Sequence, residues 1–474
     1  MLKTLLCLPK VSTLDEAATP AEVVKEYAET ASPHGISRIH SSRHIISRSF
    51  WVIAFLTFLG MATVQIMVIA EKLRSNDYIT QVKVKIHKNG LKFPAITICN
   101  SNAYRLTEVR KLLDKVHQNN QSLSTPEGRR SFSDTLVNLS KKDLFNLGQQ
   151  PELFFKAQTC SFNGKNCSYP NDFKMISPAG LGNCFKFNPN GNIFQPRNGV
   201  QHGLFLVVNI DQNDYNTYDP EMHLLPAGVY ITVRNPEQST DLKSYSVLAT
   251  PNQLTRIALK QKRAILLKRP YEDNCTDGDV PSFKPLYSGN YSVDSCVLSC
   301  HIRELFKKCG VGDMNAVVLS NWNGLNMTIA ISQKELTCLE NFTASFNKGE
   351  IPCECPPLCK TTGYDMTISN SVWPSSAKLR FWIKKLNLSE QAFKENVVAI
   401  QIFYNDFSVS IAIHKPLYDR NAFLSDLGGQ LGLWVGCSLF SILEIFTMLL
   451  EVLQVIIFPK KKVKNSKEQE KGKI

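Results

Sequence analysis

Residues 424–458 read LSDLGGQLGLWVGCSLFSILEIFTMLLEVLQVIIF, and a basic stretch, PKKKVK, follows from Pro459. Leu427 to Phe458 is 32 residues with two charges, Glu444 and Glu451. As one straight helix it would run about 48 Å at about 1.5 Å per residue. The hydrocarbon core of a bilayer is about 30 Å thick, so the segment must tilt, break or project beyond the membrane. Gly428, Gly429, Gly432 and Gly436 place the expected break in its first half. Glu444 and Glu451 are seven apart and share one helical face, which Gln454 extends. Carboxylates inside a span normally face a bundle interior or a water path, although Glu451 also suits the inner headgroup level beside the lysines. Gly436-Cys437-Ser438 are small residues. In a wet pathway their carbonyls and the Ser hydroxyl would replace a cation's hydration shell; close helix packing would use the same residues. Asp426 marks the outer end, as an acidic ring around an axis or as an N-cap.

A second uncharged run, Phe50–Ala70, is 21 residues, about 31 Å as a helix. It begins too far into the chain, with the wrong flanks, for a signal peptide. Arg38, Arg43 and Arg48 precede it, and residues 459–474 carry seven Lys and two Glu. The positive-inside rule puts both termini in the cytosol. The expected organisation is a cytosolic segment 1–49, spans 50–70 and 427–458, an outside domain 71–426 and a basic tail 459–474. The net charge of +13 is therefore a signal of topology. No interleaving of aromatic and basic residues suggests nucleic acid.

The sequons agree with this placement. Asn120, Asn138, Asn166, Asn274, Asn290, Asn326, Asn341 and Asn387 all lie between the spans. Of 14 cysteines, Cys7 and Cys437 fall outside the ectodomain, leaving twelve and up to six disulfides. Cys353-x-Cys355-x3-Cys359 and Cys296-x3-Cys300 also have ligand-like spacing, but His301 is the only histidine nearby. An oxidising compartment favours disulfides over zinc, so no metal site is expected.

Ala103–Gln118 has helical periodicity, Gly203–Ile210 and Gly228–Val233 read as strands, Cys296–Cys309 and Ser375–Leu388 as helices, and Asn396–Ile413 as β. On a helix Cys296 and Cys300 share a face, to be stapled to the extended IPCECPPLC stretch. The fold class is α+β, with two transmembrane helices and a large disulfide-rich exterior. No Ser/His/Asp constellation, HExxH or phosphate-cradling loop appears outside, so an enzyme is not expected. A chain with two spans cannot enclose a pore alone, and a channel needs several copies around an axis. Without a conducting pore, the same topology would suit a surface receptor or an accessory subunit.

The pieces resemble the degenerin/epithelial sodium channel superfamily, nearest its acid-sensing and peptide-gated branches. The resemblance rests on His34-Gly35, on Phe93-Pro94-Ala95-Ile96-Thr97-Ile98-Cys99-Asn100, on Gly182-Asn183-Cys184-Phe185, on the cysteine ladder, and on Leu424 to Leu433 running into Gly436-Cys437-Ser438. It implies a hand-like ectodomain and a homo- or heterotrimer in the plasma membrane, selective for sodium and blocked by amiloride, with permeant sodium and no cofactor. Gly436, Cys437 and Ser438 would form the selectivity filter. Ser425 would be the position where bulky side chains hold such channels open, with Asp426, Glu444 and Glu451 at the mouth or lining the pore. His34 and Gly35 would act in gating. The implied disulfides are Cys99–Cys184, Cys160–Cys167, Cys275–Cys359, Cys296–Cys355, Cys300–Cys353 and Cys309–Cys338. Trimeric ATP-gated receptors share the topology but lack this motif set.

The chain departs from its acid-sensing relatives at Val311, where they carry another cysteine, and at Asn405, where they carry a palm glutamate. Residues 302–308 are basic. A proton sensor needs clustered carboxylates, and only Asp211, Asp214, Asp219 and Glu221 offer part of one. The departures favour an extracellular ligand such as a short peptide over a proton.

Overall fold

The computed structural model describes residues 19–33, 35–116, 135, 139–177, 182–216, 226–236, 246–280, 286, 290–330 and 332–457. His34, Asn120, Asn138, Asp219, Glu221, Cys7 and the tail 459–474 lie outside them. The chain divides into a unit of Thr80–Lys415 and a unit formed by the segments up to Ile79 and from Pro416.

The Thr80–Lys415 unit is built on the strand Gln253–Ile265. Along one edge it pairs antiparallel with Lys360–Val372 over its whole length. Along the other it pairs in parallel, first with Val397–Tyr404 and then with Ser408–Pro416. Parallel neighbours need a long crossover, and here the crossover holds the helical, cysteine-rich part of the chain. Val397–Tyr404 has seven buried positions in eight, the signature of a strand covered on both faces. Asn396–Ile413, expected as one β run, is two strands, because Asn405–Phe407 turns the chain between them. Leu204–Asn209 and Thr159–Phe162 extend the sheet beyond Val397–Tyr404.

A five-stranded sheet centres on Ala95–Asn100, which is buried at all six positions. Both sheets contribute to one core, with Phe93, Phe185, Phe187, Leu204 and Tyr404 among its buried side chains. Burying Tyr404 strands a hydroxyl unless it is bonded; it donates to the Lys92 carbonyl at 2.9 Å. The helix expected over Ala103–Gln118 forms over Leu106–Val116.

Six disulfides join Cys99 to Cys184, Cys160 to Cys167, Cys275 to Cys359, Cys296 to Cys355, Cys300 to Cys353 and Cys309 to Cys338. Three of them start from one helix, Val293–Cys309, whose N-terminus is closed by a Ser292/Ser295 capping box. Its Asp294 meets Arg234 at 2.8 Å, tying the helix start to the strand Val229–Arg234. The helix packs against Gln333–Asn347 through Ile302, Leu305 and the fully buried Phe342.

His301 lies on this seam, edge-on to Phe342 and Phe346 at ring separations of 5.3 and 4.6 Å. Burial lowers its pKa, with Asp313 acting weakly the other way. A depressed histidine pKa means that the unfolded chain takes up a proton before the folded one. The stability contributed by neutral His301 is thus complete above the reference imidazole pKa of about 6.5 and is lost as pH falls below it. Thermal melts of purified protein at pH 7.5 and 5.5 (about one unit either side) should show a larger acid loss of midpoint in the parent than in His301→Leu. Equal losses would exclude this residue as a source of acid sensitivity.

Candidate functional site: the broken second span

The first span is a helix, Ile45–Arg74, of 30 residues. It is longer at both ends than the uncharged run 50–70, because Arg48, Glu71, Lys72 and Arg74 are helical while lying outside the apolar stretch. Ala62 and Ile69 are its buried positions. It packs against the helix Arg420–Val435, where Phe58 meets Trp434 at 6.1 Å. Among the described residues, Ile45–Arg74 and Leu439–Ile457 are the two helices long and apolar enough to cross a membrane.

The helix that leads into the break begins at Arg420, seven residues before Leu427, where the span was expected to start. Its N-cap is Asp419, which accepts from the Ala422 N–H at 2.7 Å. Asp426 is therefore not the cap. It lies nearly two turns into the helix, where its Oδ2 accepts from the Tyr418 hydroxyl at 2.8 Å. The Lys72 ammonium sits 4.7 Å over the Tyr418 ring. Ser425 is exposed.

The helix runs without interruption through Gly428, Gly429 and Gly432 and stops at Gly436. A backbone break in lipid is costly unless its polar groups are bonded, and the local sequence provides the bonds. Gly436 takes the left-handed conformation (φ 64°) that glycine adopts without a Cβ penalty. The N–H groups of Gly436 and Cys437 turn back to the carbonyls of Gly432 and Leu431, each at 3.1 Å. The chain restarts at once. Ser438 N–H donates to Ser441 Oγ at 3.1 Å, and Ser441 N–H donates to Ser438 Oγ at 3.3 Å. This reciprocal cap opens the helix Leu439–Ile457, with Ser441 fully buried. The tripeptide is thus a C-cap, a link and an N-cap. Among the described residues no backbone N–H donates to the carbonyls of Gly436 and Cys437. Cys437 is the one free cysteine described, and it is half-buried.

Glu444 has a partner that the sequence reading did not anticipate. Ser32 donates to its carboxylate twice, from the backbone N–H at 3.1 Å and from Oγ at 2.5 Å. Ser32 follows the helix Pro20–Thr30, which packs on Leu439–Ile457 with Val23 buried. The signal for this helix was present: Thr19-Pro20-x-Glu22 is a capping box with proline at the first helical position. Gly35, at φ 96°, starts a further short helix, Ile36–Ser41. Glu451 is exposed and has no hydrogen-bond partner among the described residues, so the two carboxylates on one helical face have different surroundings.

Of the sequons, Asn166, Asn290, Asn326, Asn341 and Asn387 are exposed. Asn274 is half-buried and accepts from Arg269 Nε at 2.7 Å, which leaves it the least available. In the carboxylate group, burial and the neighbouring Asp214 raise the Asp211 pKa, against weaker effects of Lys156 and Arg105. Asp214 spends both oxygens on Thr107, at 2.7 Å to N–H and 3.0 Å to Oγ1.

A sequence model of the amiloride-sensitive sodium channel family matches residues 27–448. The bile acid-sensitive ion channel of Homo sapiens is 27% identical over 468 residues, covering 94% of this chain and 89% of the relative. Acid-sensing ion channel 4-B of Danio rerio is 26% identical over 466 residues, covering 94% and 79%. Degenerin mec-10 of Caenorhabditis briggsae is 26% identical over 306 residues, covering 63% and 41%.

Removing the Ser32 hydroxyl should loosen the Pro20–Thr30 helix from its seat on Leu439–Ile457. A hydrogen bond to a charged group contributes about 1.5–3 kcal/mol. Ser32→Ala should therefore raise amide exchange across Pro20–Thr30 by about tenfold or more, read by hydrogen–deuterium exchange mass spectrometry of the purified chain. Unchanged exchange would leave Glu444 without this anchor.

Proposed function

The chain belongs to the amiloride-sensitive sodium channel family, a family of ion channels and not of enzymes, and from that premise we propose that it is one subunit of a trimeric, amiloride-sensitive sodium channel opened by an extracellular ligand such as a short peptide. The observation that carries the reading is the pair of carbonyls at Gly436 and Cys437, which accept no backbone N–H among the described residues and lie at the break between two helices. Exposed carbonyls at membrane depth are tolerated only where they line a cavity or meet protein. Three copies around an axis would turn one such break into a ring of oxygens for dehydrated sodium, with Ser438 beside it. Asp426 would concentrate cations at the outer end and Glu444 at the inner one. Both termini would lie in the cytosol, with the disulfide-bonded unit outside.

A peptide-like ligand is favoured over protons because Asp214 is committed to Thr107 and residues 302–308 are basic. Asp211 supports the second reading, a proton-gated channel, since a carboxyl already raised by burial protonates at milder acidity.

Whole-cell recording from cells expressing the chain alone, and with related subunits, tests both. Ser425→Phe should produce a standing inward sodium current that amiloride blocks. A charged thiol reagent applied from the aqueous side should reduce that current, and Cys437→Ser should abolish the reagent's effect. Acid activation lost in Asp211→Asn would transfer the stimulus to protons. Silence of Ser425→Phe in every subunit combination, with normal surface delivery, would reject the channel reading.

A further inference from the structure

Within the Thr80–Lys415 unit, a cavity of about 790 Å³ opens beside the Cys160–Cys167 hairpin. That lies within the range of small-ligand sites, roughly 300–1,000 Å³. One side is formed by the short helix Pro151–Phe154 and the hairpin strands Thr159–Phe162 and Lys165–Asn166; Lys385 of the helix Ser376–Leu386 closes the other.

Its floor is apolar and its wall aromatic. Leu206 and Phe173 are buried beneath it. The Phe155 and Tyr169 rings stand 18° apart in plane and 6.1 Å between centroids, and Phe173 lies 5.0 Å from Phe155. Phe155 and Tyr169 remain half-exposed, so part of this aromatic surface is open to a ligand.

The flanking segments are mainly basic. Residues 151–166 and 376–386 carry Lys156, Lys165, Lys378, Arg380, Lys384 and Lys385 against Glu152. Lys385 and Glu152 both line the cavity, and they are not bonded to each other. The one hydrogen-bond partner of Lys385 among the described residues is a neutral hydroxyl, Thr159 Oγ1, at 2.8 Å. Its ammonium also lies 5.0 Å over the Trp382 ring. A cation fixed at the mouth of an aromatic pocket, without a carboxylate partner, is arranged for an anion attached to an apolar body.

We infer that this groove binds a small amphipathic carboxylate, an aromatic or ring-bearing body against Phe155 and Tyr169 with its single anionic head on Lys385. The inference deepens the ligand-gated reading and rests on it for any effect on current, though not for binding. The same chemistry is offered by a free aryl acid or by the C-terminal aromatic residue of a short peptide with an unblocked carboxylate. In both, the head group must be charged.

The test is saturation-transfer NMR on the full chain in nanodiscs, which reads binding without requiring conduction. The probes are 2-naphthylacetate, N-acetyl-Phe-Phe with a free C-terminus, and the C-terminal amide of that dipeptide. Because Asn166 borders the same cavity, the measurement is made on Asn166→Gln, which excludes a glycan. The expected result is saturable binding of at least one acid, with the amide about tenfold weaker, as for one charge-assisted hydrogen bond. Lys385→Gln should weaken the acid by a similar factor, Lys385→Arg should restore it, and Lys348→Gln should leave it unchanged. Binding of the dipeptide acid without the naphthyl acid would identify a peptide source, and the reverse a free acid. Absence of saturable acid binding, equal binding of acid and amide, or no effect of Lys385→Gln in a monodisperse variant would overturn the site. Binding that follows this pattern, with Ser425→Phe silent in every subunit combination at normal surface delivery, would keep the site and reject the channel reading instead.

Discussion

A polypeptide crossing lipid must bond its own backbone, and the second span caps both sides of its break while leaving carbonyls at the break itself unbonded. Arg420–Val435 and Leu439–Ile457 are complete helices with their own caps. Three residues separate them, and each does something its neighbours could not. Gly436 supplies a positive φ, Ser438 supplies an acceptor for the next helix, and Cys437 spans the gap. The caps bond the carbonyls of Leu431 and Gly432 on one side and the N–H of Ser441 on the other. What remains is a short stretch whose carbonyls are unbonded and whose geometry is held from both directions. A flexible kink would not hold its oxygens in place. A doubly capped break does, because moving either carbonyl means disturbing a cap.

Local rigidity of a different kind organises the Thr80–Lys415 unit. Its central strand, Gln253–Ile265, has neighbours that return from far along the chain, and the return passes through the cysteine-bonded helix Val293–Cys309. Loop-closure entropy for such contacts is large before any are formed. Bridges at Cys275–Cys359, Cys296–Cys355 and Cys300–Cys353 shorten the effective loop, which stabilises the fold chiefly by restricting the unfolded chain. Phe342 belongs to a core separate from the main one, with His301 edge-on to it, so the disulfides and the aromatic seam together hold this smaller core in place.

The legible part of the sequence was the part governed by composition. Apolar length gave the two spans, and cysteine number gave a disulfide framework without fixing its pairs. The first span's true ends were hidden because Arg48 and Arg74 are helical yet polar: hydropathy reports contact with lipid, whereas a helix ends where its hydrogen bonds do. Arg420–Asp426 was missed for the same reason. Long-range parallel pairing of Gln253–Ile265 with Val397–Tyr404 leaves no local mark, since both strands read simply as apolar or mixed β. At the candidate site, Gly436-Cys437-Ser438 was visible as small residues, but its capping roles were not, because they depend on Ser441 being a partner rather than another small residue in a stripe. The Ser32–Glu444 bond joins positions 412 apart in sequence, and no pattern in a single chain announces it.

That bond changes how an intramembrane carboxylate should be understood. An ionised Glu in a span is tolerated if it faces water or is bonded, and the sequence reading left Glu444 a bundle interior or a water path without naming a partner. The bonded solution is present here: a serine from the segment before the first span offers both of its donors. Glu451, one face-repeat further on, has no such partner among the described residues and is exposed. Two carboxylates on one helical face are thus divided by a contact with the segment before the first span. The one nearer the break at Gly436 is held in place, while the one nearer the end of the helix is free to turn toward water.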